Sequence, residues 1–184
     1  LARFMAAPRG MRNNDLMREV GVRKRVHEVV YDDTPIDLHA ADIEYRALSV
    51  TPRDRENAIF NLLRLHEAQT AIIFCKTRAN VNHLLARMAN RGFKAVALSG
   101  ELSQQERTHA LQALRDGRAQ VCVATDVAAR GIDLPGLELV IHADLPTNSD
   151  TMLHRSGRPG RAGAKGVSAL IVTPADLRKA QMLL

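Results

Sequence analysis

From Ile43 onward, short apolar runs alternate with stretches of helical periodicity, and this alternation limits the fold more than any other feature of the chain. The runs are Tyr45–Val50, Ala71–Cys75, Ala95–Leu98, Gln120–Ala124, Leu139–His142 and Ser168–Val172. Thr51-Pro52-Arg53-Asp54 opens a helix through Leu65, with Pro52 suited to the first turn. Arg78–Arg91 repeats Val81, Leu84, Leu85 and Met88 at a spacing near 3.6 and stops at Gly92. Ser103-Gln104-Gln105-Glu106 reads as a capping box heading a helix to Leu114, closed by Gly117. A turn and helix precede His154, and Thr173-Pro174 starts a last helix that runs to Leu184. Strands alternating with helices predict βαβ units, hence an α/β fold with a mainly parallel sheet and helices on both faces. Ligands meet such sheets at the loops beyond the carboxyl ends of the strands.

Residues 1–42 have no sustained period and mix Pro8, Gly10, Asn13, Asn14 and Gly21 with the turn Asp32-Asp33-Thr34-Pro35. They are expected to form a poorly structured linker or leader, with a short helix around Asp15–Val20, ahead of one domain over 43–184. The net charge of +6 is concentrated there: residues 1–30 carry seven Lys/Arg against three acids. The 184 residues, 46% hydrophobic and 25% charged, suit an ordinary globular domain and exclude collagen-like or wholly disordered classes. No apolar run approaches the ~20 residues that cross a bilayer, and no secretory signal pattern appears. Cys75 and Cys122 lie in apolar runs and are expected as buried thiols, and the seven histidines show no metal-ligand spacing, so no metal site is expected. A cytoplasmic protein without a membrane partner is the expectation. Aromatic residues are 3% with no Trp, too few for a surface that stacks bases. A nucleic-acid partner must therefore be gripped by its backbone.

Two loops carry the chemistry. Thr125-Asp126-Val127-Ala128-Ala129-Arg130-Gly131-Ile132-Asp133 follows one strand, and His154-Arg155-Ser156-Gly157-Arg158-Pro159-Gly160-Arg161 places three arginines at intervals of three with glycines between them. Planar guanidinium groups pair in fork fashion with phosphate oxygens. Residues 121–166 hold five bases and five acids, which describes individually placed arginines among structural acids and not a bulk basic patch.

Residues 123–133 (VATDVAARGID) and 154–161 (HRSGRPGR) resemble two motifs of the DEAD-box RNA helicases. Ala71–Arg78 (AIIFCKTR) and Ser99–Arg107 (SGELSQQER) are similar to two more, in the family's order and approximate spacing. The resemblance covers residues 43–184 and implies a RecA-like three-layer sandwich, the second of two such domains. It implies that Arg158 and Arg161 are catalytic arginine fingers at the ATP γ-phosphate, where such a group contributes roughly 10³–10⁵ in rate. Gly131 and Asp133 match positions near the nucleotide, and His154 and Arg155 match residues that couple the two domains. Thr77, Arg78, Gly100, Gln104, Arg107 and Thr125 match positions along the RNA backbone, holding phosphates with little base specificity. Phe74 matches an aromatic of the family, with core packing as its expected role. The chain departs from the family pattern at Ser99, Glu101, Met152 and Pro159.

A phosphate-cradling GxxxxGK[ST] loop and an Asp-Glu-Ala-Asp sequence are both absent; Gly163-Ala164-Lys165-Gly166 has neither the spacing nor the hydroxyl. The expectation is half of a composite ATPase, inactive alone, with the phosphate loop and Mg²⁺ ligands supplied by an N-terminal RecA-like domain. The rival readings are a non-enzymatic RNA-binding or protein-docking module on the same fold, and a DNA helicase of the same superfamily.

Overall fold

The computed structural model describes residues 2–4, 43–132, 134, 136–156 and 166–184. Seven strands form one sheet: β1 (Ala2–Phe4), β2 (Ile43–Ser49), β3 (Ala71–Phe74), β4 (Ala95–Leu98), β5 (Val121–Ala124), β6 (Leu139–His142) and β7 (Gly166–Val172). The spatial order is β1-β2-β7-β6-β3-β5-β4, and every pair is parallel. Among the described residues five α-helices accompany them: α1 (Arg55–His66), α2 (Arg78–Asn90), α3 (Gln104–Arg115), α4 (Ser149–Ser156) and α5 (Leu177–Leu183). The expected α/β sandwich with a parallel sheet is the fold found, and strand limits agree with the apolar runs to within two residues. Ala2–Phe4 pairs with Tyr45–Ala47 at the sheet edge. Residues 5–42, and with them most of the expected linker and its short helix, lie outside the described residues.

The central strands β3 and β5 are apolar throughout, and β6 is apolar up to His142, because both of their faces are covered. Ile73, Val123 and Ile141 point to one side, where they pack with Ile59, Phe60 and Leu63 of α1 and Val81, Leu84 and Met88 of α2. The alternate residues Ile72, Phe74, Cys122 and Val140 point to the other side, against Leu114 of α3 and the segment from Ala128 to Leu137. A third cluster seats Met152 of α4 and Ala180 and Leu183 of α5 on Tyr45, Ala47, Leu170 and Val172. Cys75 and Cys122 are buried, as expected.

Local chemistry sets the helix starts. Thr51-Pro52-Arg53-Asp54 and Thr173-Pro174-Ala175-Asp176 behave alike: each begins with a 3-10 turn and continues as α1 or α5, with the Thr hydroxyl bonded to the Asp carboxylate. The last helix therefore begins at Leu177 and not at Pro174. Thr77 Oγ1 accepts the Asn80 amide at 3.1 Å to cap α2. In the Ser103 capping box, Glu106 N donates to Ser103 Oγ at 3.1 Å and Ser103 N donates to Glu106 Oε2 at 2.8 Å. Gly92 (φ 78°) and Gly117 (φ 75°) close α2 and α3 in the left-handed region that glycine enters without strain.

Candidate nucleotide and nucleic-acid face

Parallel strands deliver their following loops to one edge. β3, β5 and β4 are neighbours, so the loops after them present Thr77 and Arg78, Thr125, and Gly100 side by side. Two contacts fix this neighbourhood. The Thr125 amide donates to Leu98 O at 3.4 Å, and Arg78 Nη1 meets Glu101 Oε1 at 2.8 Å. The Arg78 and Glu101 side chains are 55% and 57% exposed, so their pairing is weak and Arg78 can exchange it for another anion. α2 and α3 both begin at this edge, which directs their positive dipole ends toward it. Gly100 and Gln104 are exposed there, whereas Thr125 is partly buried, with Oγ1 accepting the Ala128 amide at 3.4 Å. Thr77 thus serves as a helix cap while lying on the predicted track.

Arg155 is the central cation of the site and is only 3% exposed. Its Nε and Nη2 donate to the two carboxylate oxygens of Asp126 at 2.5 and 2.6 Å, a bidentate fork. Nη1 donates to the Asp144 carbonyl at 2.9 Å, and the guanidinium stacks 5.0 Å from the centre of the Phe74 ring. The same Nη1 lies 3.4 Å from His142 Nδ1, which must therefore be the acceptor and unprotonated. The ring's proton is then on Nε2, donated to Ser168 Oγ at 2.8 Å, and Ser168 Oγ contacts Ser156 Oγ at 2.7 Å. A continuous buried polar chain thus ties the end of α4 to β6, β7 and the loop after β5. Complete burial and the neighbouring Arg155 hold the His142 pKa well below its ordinary value. Burial likewise lowers the pKa of half-buried His66.

These histidines make stability fall on acidification. The unfolded chain takes up protons below about pH 6.5, whereas folded His142 stays neutral, so each pH unit below that point costs up to about 1.4 kcal/mol per histidine. Thermal melts between pH 7 and pH 5 should show this loss, and His142→Gln should flatten the share that His66 does not supply.

Asp144 gathers the other side of the edge. Arg55 Nη2 donates to Oδ1 at 2.8 Å, while the Lys76 amide and Asn80 Nδ2 donate to Oδ2 at 2.8 and 3.2 Å. Partial burial pushes its carboxyl pKa up, but the Lys76 amide, Arg55 and Asn80 outweigh that and leave it below the usual range. A cleft of ≈ 200 Å³ opens beside it between α1 and α2, lined in part by Cys75, Glu56 and His83. Burial raises the Cys75 thiol to about 12, so it is no nucleophile at neutral pH.

Of the residues predicted from sequence, the structure brings Thr77, Arg78, Gly100, Gln104 and Thr125 to one edge. Arg107 lies one turn along α3 and donates to the backbone carbonyls of Ala128 and Arg130 at 2.6 and 3.2 Å. Gly131 is exposed with φ 70°. His154 is exposed on α4, while Arg155 turns inward to Asp126. Asp133, Arg158 and Arg161 lie outside the described residues. Sequence reading gave no roles to Asp126, Asp144 and Arg55; the equal count of acids and bases over 121–166 was the signal that some arginines are paired internally. Neither a cluster of three metal-ligating side chains nor a helix long and apolar enough to cross a membrane occurs among the described residues.

Residues 54–163 match the helicase conserved C-terminal domain family. The DEAD-box ATP-dependent RNA helicase RhpA of Helicobacter pylori is 34% identical over 163 residues, which cover 85% of this chain and 33% of the relative. Among solved structures, the DEAD-box protein SrmB of E. coli, bound to the regulator of ribonuclease activity A, superposes with a TM-score of 0.69 at 37% identity, covering 73% of this chain and 80% of that one. Dbp5 of S. cerevisiae, bound to RNA and ADP BeF3, gives a TM-score of 0.65 at 33% identity, covering 71% and 36%. This chain spans about a third of the length of the curated relative, 33%.

Proposed function

Because the chain belongs to the helicase C-terminal domain family, as the second RecA-like domain of a DEAD-box RNA helicase, we propose that it acts as half of an ATP-dependent RNA helicase. It holds one side of an RNA-backbone track and lends arginines to an ATP site shared with an N-terminal RecA-like domain. The observation that carries this reading is the common edge of the β3, β4 and β5 loops. There a weakly paired Arg78, the exposed Gly100 and Gln104, and two helix N-termini stand together. Such an edge suits a row of phosphates and reads no bases, and Dbp5, its structural relative, was solved with RNA.

On the nucleotide side, Arg158 and Arg161 balance negative charge developing on the γ-phosphoryl group, with Gly131 and Asp133 beside the nucleotide. His154, exposed on α4, faces the companion domain, and Arg155 holds α4 in place. ATP supplies the phosphoryl group whose transfer to water releases the closed state. Asp126 and Asp144 are paired with Arg155 and Arg55, and in this reading the Mg²⁺ ligands come from the companion domain. Closure aligns both halves of the track around a bent strand, which opens a short duplex; the free energy of closure sets how far that equilibrium moves. The protein is cytoplasmic in this reading, with RNA and the N-terminal domain as partners.

On this basis the 184-residue chain alone hydrolyses no ATP and binds single-stranded RNA weakly. Its affinity falls with salt by a log–log slope of about −0.7 per phosphate contacted, and Arg78→Gln reduces that slope by about 0.7. Fluorescence anisotropy with labelled oligouridylate at several salt concentrations measures both. Robust ATP turnover by the chain alone, or a slope near zero, contradicts the reading. RNA should also outperform DNA of equal length as activator of the longer, two-domain protein.

A further inference from the structure

α3 carries Gln104 in its first turn and Arg107 in its second. The resemblance places both on the RNA track, yet the Arg107 guanidinium is directed into the loop after β5. Nη1 donates to Ala128 O at 2.6 Å and Nη2 to Arg130 O at 3.2 Å. These two carbonyls bracket Ala129, which is fully buried, and Gly131 follows at φ 70°. Of the loop's own bonds, Ala129 N donates to Thr125 O at 3.1 Å, whereas Arg130 N to Val127 O and Ile132 N to Ala129 O are each 3.4 Å. The end of the segment, past Ala129, is held by long bonds of its own, and two charge-assisted donors on one rigid plane add to them from α3.

We propose that Arg107 is a positioning residue and not an RNA ligand: it braces the carbonyls of Ala128 and Arg130 and so couples α3 to the segment from Thr125 to Gly131. The proposal rests on the two-sided reading above, in which Gln104 and Thr125 face RNA and Gly131 faces nucleotide. The capping box makes the start of α3 stiff, so a shift imposed at Gln104 is passed through the Arg107 fork to the loop. Energetic coupling of this kind is reciprocal, and nucleotide at Gly131 biases α3 toward its RNA-bound position by the same amount.

The test uses the longer protein that carries the N-terminal domain, with oligouridylate RNA. Arg107→Lys keeps the charge but replaces the planar two-nitrogen fork with one nitrogen on a flexible stem, whereas Arg107→Gln removes the charge. A brace predicts that both lower RNA-stimulated ATP turnover by about ten- to a hundredfold, the scale of a small misplacement, and that neither alters the salt slope of RNA binding. A phosphate ligand predicts the reverse: Arg107→Lys keeps the rate and Arg107→Gln lowers the slope by about 0.7. That second pattern overturns the proposal. A readout without any variant is the rotation of the Arg107 guanidinium, followed by side-chain NMR of the chain. It should be slow both without RNA and at saturation, and fast rotation without RNA overturns the brace. Arg158→Ala separates the two levels: unchanged turnover there defeats the two-domain reading, whereas lost turnover there with wild-type Arg107→Lys defeats only the brace.

Discussion

Arg158→Ala, introduced into the longer protein that carries this domain, should reduce RNA-stimulated ATP turnover by about 10³–10⁵-fold. That range corresponds to roughly 4–7 kcal/mol of transition-state stabilisation. The size follows from the chemistry assigned to the position. A guanidinium that meets the γ-phosphoryl group only in the closed state acts on charge that is largest at the transition state, so its loss falls on kcat. Arg158→Lys should recover little of the rate, because a point charge on a flexible stem does not reproduce the planar fork. RNA affinity without nucleotide should stay close to wild type. Steady-state ATPase assays at saturating RNA decide the matter, and turnover within a factor of two of wild type would show that Arg158 is no finger.

The second large effect concerns stability. Asp126→Ala leaves the Arg155 guanidinium, 3% exposed, without its carboxylate, and breaking such a pair costs about 3–5 kcal/mol. The Asp126 side chain is 41% exposed, so water can enter beside it and the expected loss lies near about 3 kcal/mol. For a domain of this size that lowers Tm by roughly 6–12 °C. Asp126→Asn retains one acceptor and should lose less. Combining Asp126→Ala with Arg155→Met removes the stranded charge and should restore much of the stability, because the methionine still packs on Phe74. Chemical denaturation of the three variants tests this, and equal losses in Asp126→Ala and the double variant would mean that the pair is not the cause.

The layered sheet was legible because β3, β5 and β6 are buried on both faces and therefore read as apolar runs, broken only by His142 at the end of β6. Helix starts were legible where a side chain makes the cap, as at Thr77 and Ser103. At Pro174 the pattern located the turn but not its 3-10 character, since proline fits the first turn of either helix. The site was only half legible. Arg78 and Gln104 sit where the motif order puts them, at the starts of α2 and α3, which follow the two strands that flank β5. Arg155 looks from sequence like any other arginine of HRSGR, yet it is buried, and its acceptor Asp126 lies 29 residues away, a separation that no local period encodes. Arg107 was less legible still, because its acceptors are backbone carbonyls, which have no signature in side-chain identity.

Asp144 has a mechanical consequence. Its carboxylate receives α1 through Arg55, α2 through Asn80 and the turn between β3 and α2 through the Lys76 amide, and its carbonyl receives α4 through Arg155. Helices from opposite faces of the sheet thus hang from one residue at the tip of β6. When a partner pulls on this rim, the load divides among four anchors, and both faces travel together as a single stiff jaw.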